Sequence, residues 1–401
     1  MAAVVLLAMI GILAGVAAVL LPGFIRGEIV RQARTRGVVL DPGTIDLSLG
    51  EVRLRDARFS LVGVPGSEGT LRQAKILLSG LSPRRVEVEG AALRLTGVTS
   101  VPALQSWSAA YHGTAGELPL SAREVRLAFR EHERAPEQGA LTAASLAVAL
   151  KGGAAEATLR VGKLEVAGRA IADADVSARL DAEGLSATIT AVLTGGVAAP
   201  PVQIALKRAP APDLLVTLPK TALDALATPL GLPLGLRGVT AAGTIAVRLP
   251  AQPGGAYQAD VDLSLDGYVP PHPRELDGIV FGKTTTIKAR ALLPEGSQVT
   301  ELRDLEIAAG ALQLRGKGTI RQEPADALAI LDLSGAVPCS LLTGSAVAAH
   351  LGQSLGTLAG RLAQRALAGS VAVAVHVEAR ASQLRSPRVD TSARMGCRLN
   401  L

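Results

Sequence analysis

Apolar and polar residues alternate with a period of two along most of this chain. Ile45, Leu47 and Leu49 alternate with Asp46 and Ser48, Val52 and Leu54 with Arg53 and Arg55, and Val86 and Val88 with Glu87 and Glu89. Val125, Leu127 and Phe129 repeat the pattern, as do Ile245, Val247 and Leu249, then Val371, Val373, Val375 and Val377. Such alternation marks strands with one dry and one wet face. Glycine punctuation at Leu49-Gly50-Glu51, Glu89-Gly90 and Ala167-Gly168 reads as chain reversals, so a meandering antiparallel sheet is expected. Helical patterns interrupt it at 26–36, at 101–112 with Trp107 and Tyr111 on one face, at 220–230 and at 340–368. The expected fold is mostly β: an elongated antiparallel sheet or groove with a few crossover helices.

The N-terminus breaks the period. Ala2 to Phe24 contains no charged residue, enough at about 1.5 Å per residue to span a bilayer core of roughly 30 Å. No A-x-A site follows it and no cysteine ends it, which argues against a cleaved signal and against a lipoprotein. Residues 1–25 are read as a transmembrane anchor and 26–401 as an extracytoplasmic body, divided, if at all, into modules 37–218 and 219–401. Arg26, Arg31, Arg34 and Arg36 follow the anchor, which runs against the positive-inside rule; long domains translocate largely regardless of such flanks. Gly11 and Gly15 carry the G-x-x-x-G spacing of close helix pairs, a spacing that arises easily by chance in an Ala/Gly-rich helix.

Composition narrows the function. Aromatic residues make up 2% of the 401, with one Trp and three Tyr, so the platforms that stack bases and sugars are scarce. Formal net charge is +6, and the basic residues are spread singly along strands rather than gathered in an arm for nucleic acid. They read as the solvated faces of strands, with weak attraction to anionic head groups as a second role.

Several motifs look chemical. Gly352-Gln353-Ser354-Leu355-Gly356 matches G-x-S-x-G, but the preceding residues read as helix rather than strand, and no Asp-then-His pair follows. Gly278 to Thr284 is one residue short of a P-loop and is followed by a strand pattern instead of a helix. His112, His132, His272, His350 and His376 have no metal spacing among them. Cys339 and Cys397 are the only cysteines; in an oxidising compartment they are expected to form one disulfide, the alternative being two buried thiols. No enzymatic activity, cofactor or metal is expected.

The apolar helix, the short basic helix and the stretch from Thr44 to Leu61 together resemble the opening of AsmA-like proteins. The stretch from Leu223 to Gly238, followed by a strand from Thr240 to Leu249, is similar to their helix-to-strand connections. The resemblance implies an inner-membrane protein whose β-groove extends through the periplasm and carries phospholipid toward the outer membrane, with no catalytic residues. Many members of that family are longer than this chain. Candidate lipid contacts are Ile45, Leu47, Val52, Leu54, Val125, Leu127, Ile245 and Val247. An aliphatic trough would hold acyl chains without specific polar contacts, at about 0.8 kcal/mol per buried methylene. The same faces could instead close on each other as a sandwich core. The competing function is a structural part of an envelope secretion system, similar to the type II secretion component N family.

Overall fold

The structure is a computed structural model. It describes residues 22–35, 37–48, 50–79, 82–97, 99–111, 120–151, 154–181, 184–194, 199–207, 213–230, 238–250, 255–268, 282–294, 296–310, 312–323, 326–339, 367–383, 386–396 and 398–399. It is mostly β, as the alternation predicts. Two compact units divide it: residues 1–195, 201–216 and 248–253 form unit 1, and residues 196–200, 217–247 and 254–401 form unit 2.

Unit 1 opens with helix α1 (Pro22–Thr35), then strands β1 (Val38–Asp41), β2 (Thr44–Ser48), β3 (Glu51–Leu61), β4 (Ser67–Ser79) and β5 (Ser82–Thr96). Helix α2 (Ser100–Tyr111) follows, then β6 (Leu120–Arg130), β7 (Gly139–Lys151), β8 (Ala154–Val166), β9 (Arg169–Asp181), β10 (Gly184–Leu193) and β11 (Val202–Lys207). β1 and β2 both pair with β3, and from β3 to β11 each strand pairs with the next. Every one of these pairings is antiparallel except β5 with β6. A parallel pair needs a crossover, and α2 supplies it.

The crossover helix sits on the dry face, where it packs against β5, β9 and β10, so the sheet curls around it. Trp107 is buried, and its indole N–H donates to the Gly37 carbonyl at 2.7 Å. Tyr111 lies beside it with ring centroids 5.8 Å apart. Leu54, Leu71, Ile76 and Leu104 are at most 1% exposed, so this core is sealed.

Alternation in unit 1 slips along one line. In β3, Leu54 and Ala57 are both buried, and the two residues between them, Arg55 and Asp56, both point outward. The same step separates Ala74 from Leu71, Val88 from Ala91, Ala122 from Val125, Leu146 from Ala143, and Leu159 from Gly162. These positions are cross-strand neighbours, and the register does not change across the step from β3 to β8. Left-handed backbone makes the step at Asp56 (φ 52°), Gly90 (φ 69°) and Glu124 (φ 54°). Glu89-Gly90 is therefore not a reversal: it lies inside β5, where the positive φ turns the side chains over without turning the chain. Gly50 and Ala167-Gly168 do reverse it, between β2 and β3 and between β8 and β9.

Gly90 has a second role. The Arg72 side chain of β4 crosses over it to reach Glu124 of β6 at 2.7 Å, and also holds Glu89 at 2.7 Å. One guanidinium thus clasps both strands of the parallel pair.

Unit 2 holds most of β12 (Asp213–Ala222), then α3 (Leu223–Leu230), β13 (Thr240–Arg248), β14 (Ala256–Asp266), β15 (Thr284–Pro294), β16 (Val299–Ala309), β17 (Leu312–Glu323) and β18 (Asp326–Pro338). After β19 (Leu367–Ala368) come β20 (Ser370–Arg380), a 3-10 turn (Ala381–Gln383), β21 (Arg388–Met395) and β22 (Arg398–Leu399). β14 to β18 form an antiparallel meander that continues through β20 to β21, and β19 pairs with β22. The helix expected over 220–230 begins three residues later, because Lys220, Thr221 and Ala222 finish β12; Thr221 is 1% exposed there. The helix expected over 340–368 lies outside the described residues except at its end, where Leu367–Ala368 is strand. In β16 an extra residue, Asp304 (φ 50°), bulges outward, and Arg290 holds it at 3.2 Å while also reaching Asp260 at 3.2 Å.

The anchor expected over residues 1–25 lies outside the described residues except for the start of α1. No helix among the described residues is long and apolar enough to cross a membrane.

Three substitutions test this architecture. Trp107→Phe removes the indole donor from the Gly37 carbonyl, which keeps the Val62 N–H at 2.8 Å, and is expected to lower stability by about 0.5–1.5 kcal/mol in urea unfolding. Gly90→Ala and Gly168→Ala both place a Cβ at positive φ, costing about 1–2 kcal/mol. Around Gly168 there is open space, whereas a Cβ on Gly90 would lie 2.8 Å from Cβ of Arg72. Gly90→Ala should therefore cost measurably more; equal losses would mean the Arg72 crossing is unimportant.

Candidate functional site

The dry face of unit 2 is the candidate site. Its strands place aliphatic residues in successive cross-strand rows. One row is sealed: Leu305, Leu333 and Val375 belong to a buried cluster with Leu312, Leu314, Val337, Val371 and Val373. The next row runs Ala259, Ala291, Leu302, Gly318, Leu331, Val377 and Val389, through β14, β15, β16, β17, β18, β20 and β21. Each of these is half-buried, and Gly318 is the only one without an apolar side chain. Seven strands at about 4.8 Å spacing make the row roughly 29 Å long. Val261, Leu263 and Ile287 extend the same apolar character toward the other end of β14 and β15.

The opposite face of these strands is ionic. Asp332, Lys317 and His376 stand in one row with Asp390. Nδ1 of His376 lies 2.7 Å from Asp332, and Nε2 lies 3.6 Å from Glu378. The Asp332 hydrogen bond is the largest cause holding the imidazole above the ordinary histidine range, partly opposed by desolvation and reinforced by the charges of Asp332 and Glu378. Both ring nitrogens face carboxylates, and no hydroxyl bonds either one among the described residues. At the edge of β18, Asp326 accepts from Ser382 and the Ala327 N–H, contacts that hold its carboxyl below the usual range.

The eight residues expected to contact lipid fall into three settings. Val52, Leu54 and Val125 are sealed in the core of unit 1, at 4%, 1% and 2% exposure. Ile45 and Leu127 are half-buried against that core, and Leu47 is 47% exposed on β2. Ile245 and Val247 are half-buried on β13. Within unit 1 the first six do not share one setting, and unit 2 adds a row the alternation alone did not single out.

Of the chemical motifs, Ser354 and its flanks lie outside the described residues. Thr284 opens strand β15, so no helix follows Lys283 as a phosphate loop requires. His132 is exposed in the turn after β6, and His112, His272 and His350 lie outside the described residues. No group of metal-ligating side chains occurs among the described residues. Cys339 is buried at the end of β18 and disulfide-bonded; Cys397 lies outside the described residues. The Cys339 N–H donates to the Gly369 carbonyl, and the Gly396 N–H donates to Ser370, so residues 339 and 396 both border the start of β20.

No family model matches this chain, and no curated relative matches it.

His376 gives a test of the ionic face. A raised pKa means the Asp332 contact stabilises the fold fully below the unfolded histidine value, about 6.5, and that stabilisation is lost as pH rises through the folded value. In NMR titration His376 should titrate above the ordinary histidine range, and Asp332→Asn should bring it down. An unchanged His376 midpoint in that variant would assign the shift to Glu378 instead.

Proposed function

We propose that this chain is a non-enzymatic envelope-biogenesis protein of the AsmA-like kind, anchored in an inner membrane, whose body binds phospholipid acyl chains in the periplasm. One observation carries the reading: the half-buried aliphatic row of unit 2, continuous across seven strands and backed by an ionic opposite face. A hydrocarbon chain needs apolar area and no directional partner. The sealed core of unit 1 is assigned to packing, so Val52, Leu54 and Val125 contribute stability rather than lipid contact.

The experiment is photo-crosslinking in cells from Leu302, Leu331 and Val377, followed by lipid extraction, with Lys317 and Arg303 on the ionic face as controls. Lipid adducts are expected from the first set and not from the second. Leu331→Arg should retain the fold and lose adducts from its neighbours, because a charge in the row must keep its hydration or displace the lipid. Leu54→Arg, in the sealed core, should unfold unit 1. Absence of adducts from both faces in a folded protein would overturn the lipid reading.

A further inference from the structure

The wet face of unit 1 carries a concavity of about 760 Å³ over β4 to β8. Gln73, Lys75, Arg85, Glu87 and Glu89 line one side, and Ser121, Arg123, Ser145, Ala147, Thr158 and Arg160 the other. Four cations face two carboxylates, and both carboxylates stand on β5. Glu89 is taken by Arg72 at 2.7 Å, and Glu87 lies 3.8 Å from Arg85. The half over β6 to β8 therefore has two arginines and no acid in its lining.

The register shows how that half is built. Arg123, Ser145 and Arg160 form one cross-strand row, and Ser121, Ala147 and Thr158 form the next. The two arginines flank a serine on the strand between them, with Cα atoms about 10 Å apart, within reach of two long side chains closing on one anion. Hydroxyls and a methyl make the floor, so nothing bulky fills the space between the guanidinium groups. The side chains of Lys75, Arg123 and Arg160 make no ion pair or hydrogen bond among the described residues, nor do the hydroxyls of Ser121, Ser145 and Thr158. Nearby arginines behave differently: Arg72, Arg94 and Arg126 are each shared between two or more carboxylates.

We propose that this concavity is an anion site that takes a phosphate group, with Arg123 and Arg160 donating from either side, the Ser145 hydroxyl between them, and Lys75 and Arg85 adding charge from β4 and β5. Guanidinium groups offer paired donors that match phosphate oxygens. A lipid head group and a free phosphate present the same chemistry. The site belongs to unit 1 and does not depend on the acyl-chain row of unit 2.

The test uses the full chain in a nonionic detergent at low ionic strength, titrated calorimetrically with inorganic phosphate and with monomeric dihexanoyl phosphatidylglycerol. Arg123→Gln/Arg160→Gln is compared with Arg58→Gln/Arg169→Gln, which removes the same charge outside the concavity. Phosphate binding is expected in the native chain and the control, weakened roughly tenfold or more in the first variant and reduced by added salt. If the short lipid displaces phosphate in the native chain, the source is a head group; if phosphate binds without competition, the source is a soluble phosphate. Thermal melts of both variants should match the native chain, since all four positions are exposed. No phosphate binding in the native chain, or equal loss in both variants, would overturn the site.

Discussion

Everything in unit 1 depends on six adjacent strands changing face at the same step. Side chains in a strand point alternately up and down, so a slip in one strand alone would send its remaining apolar residues to the wet side. From β3 to β8 the slip occurs at neighbouring positions, and the core stays continuous on both sides of the line. The requirement on sequence is specific: two successive outward residues in each strand, placed where the register will bring them together. Arg55-Asp56, Arg72-Gln73, Arg123-Glu124 and Ala144-Ser145 meet it. Because both members of each pair face water, charge gathers along the line, and the phosphate-site arginines belong to it.

The line also secures the one parallel pairing. Antiparallel neighbours are joined by short turns, whereas β5 and β6 are joined only through α2 and the residues flanking it. A missing side chain at Gly90 opens a path for Arg72 over β5, and the outward turn at Glu124 presents its carboxylate to that path. An exposed ion pair contributes little by itself. Here it spans three strands with close contacts to both carboxylates, and it works beside the buried Trp107 bond that fixes the crossover helix on the dry face.

Strands were legible wherever alternation was uninterrupted, because period two is a local property of the chain. β20, with Val371, Val373 and Val375 buried in turn, is the clearest instance. β5 was misread for the same reason: Glu89-Gly90 breaks the period locally and looks like a turn, and only the register shows that the strand goes on. The parallel pairing was not legible, since nothing in β5 or β6 encodes which neighbour lies alongside. The candidate site was legible only as a type of surface. Leu54 stands between two arginines and Leu331 in the more aliphatic run Ala-Leu-Ala-Ile-Leu, yet Leu331 is half-buried and Leu54 sealed, a difference that arises from what packs over them. Arg123 and Arg160 are separated by 36 intervening residues, so their shared row with Ser145 exists only in the folded sheet.

The nature of the half-buried row bears on the two functional readings. Protein docking surfaces concentrate their binding energy in Trp, Tyr and Arg anchors seated in pockets. From Ala259 to Val389 the row holds only Ala, Leu, Val and Gly, with no aromatic ring and no hydrogen-bonding side chain. Its attraction is non-directional and scales with area, which suits a flexible hydrocarbon better than a partner that must dock in one orientation. The scarcity of aromatics in the whole chain, 2% of its residues, bears on this too. A lipid sliding along a row benefits from uniform contacts, because a single bulky anchor would hold it at one place. These considerations favour the lipid-binding proposal over a docking component, and they locate the difference in side-chain choice on a shared sheet architecture.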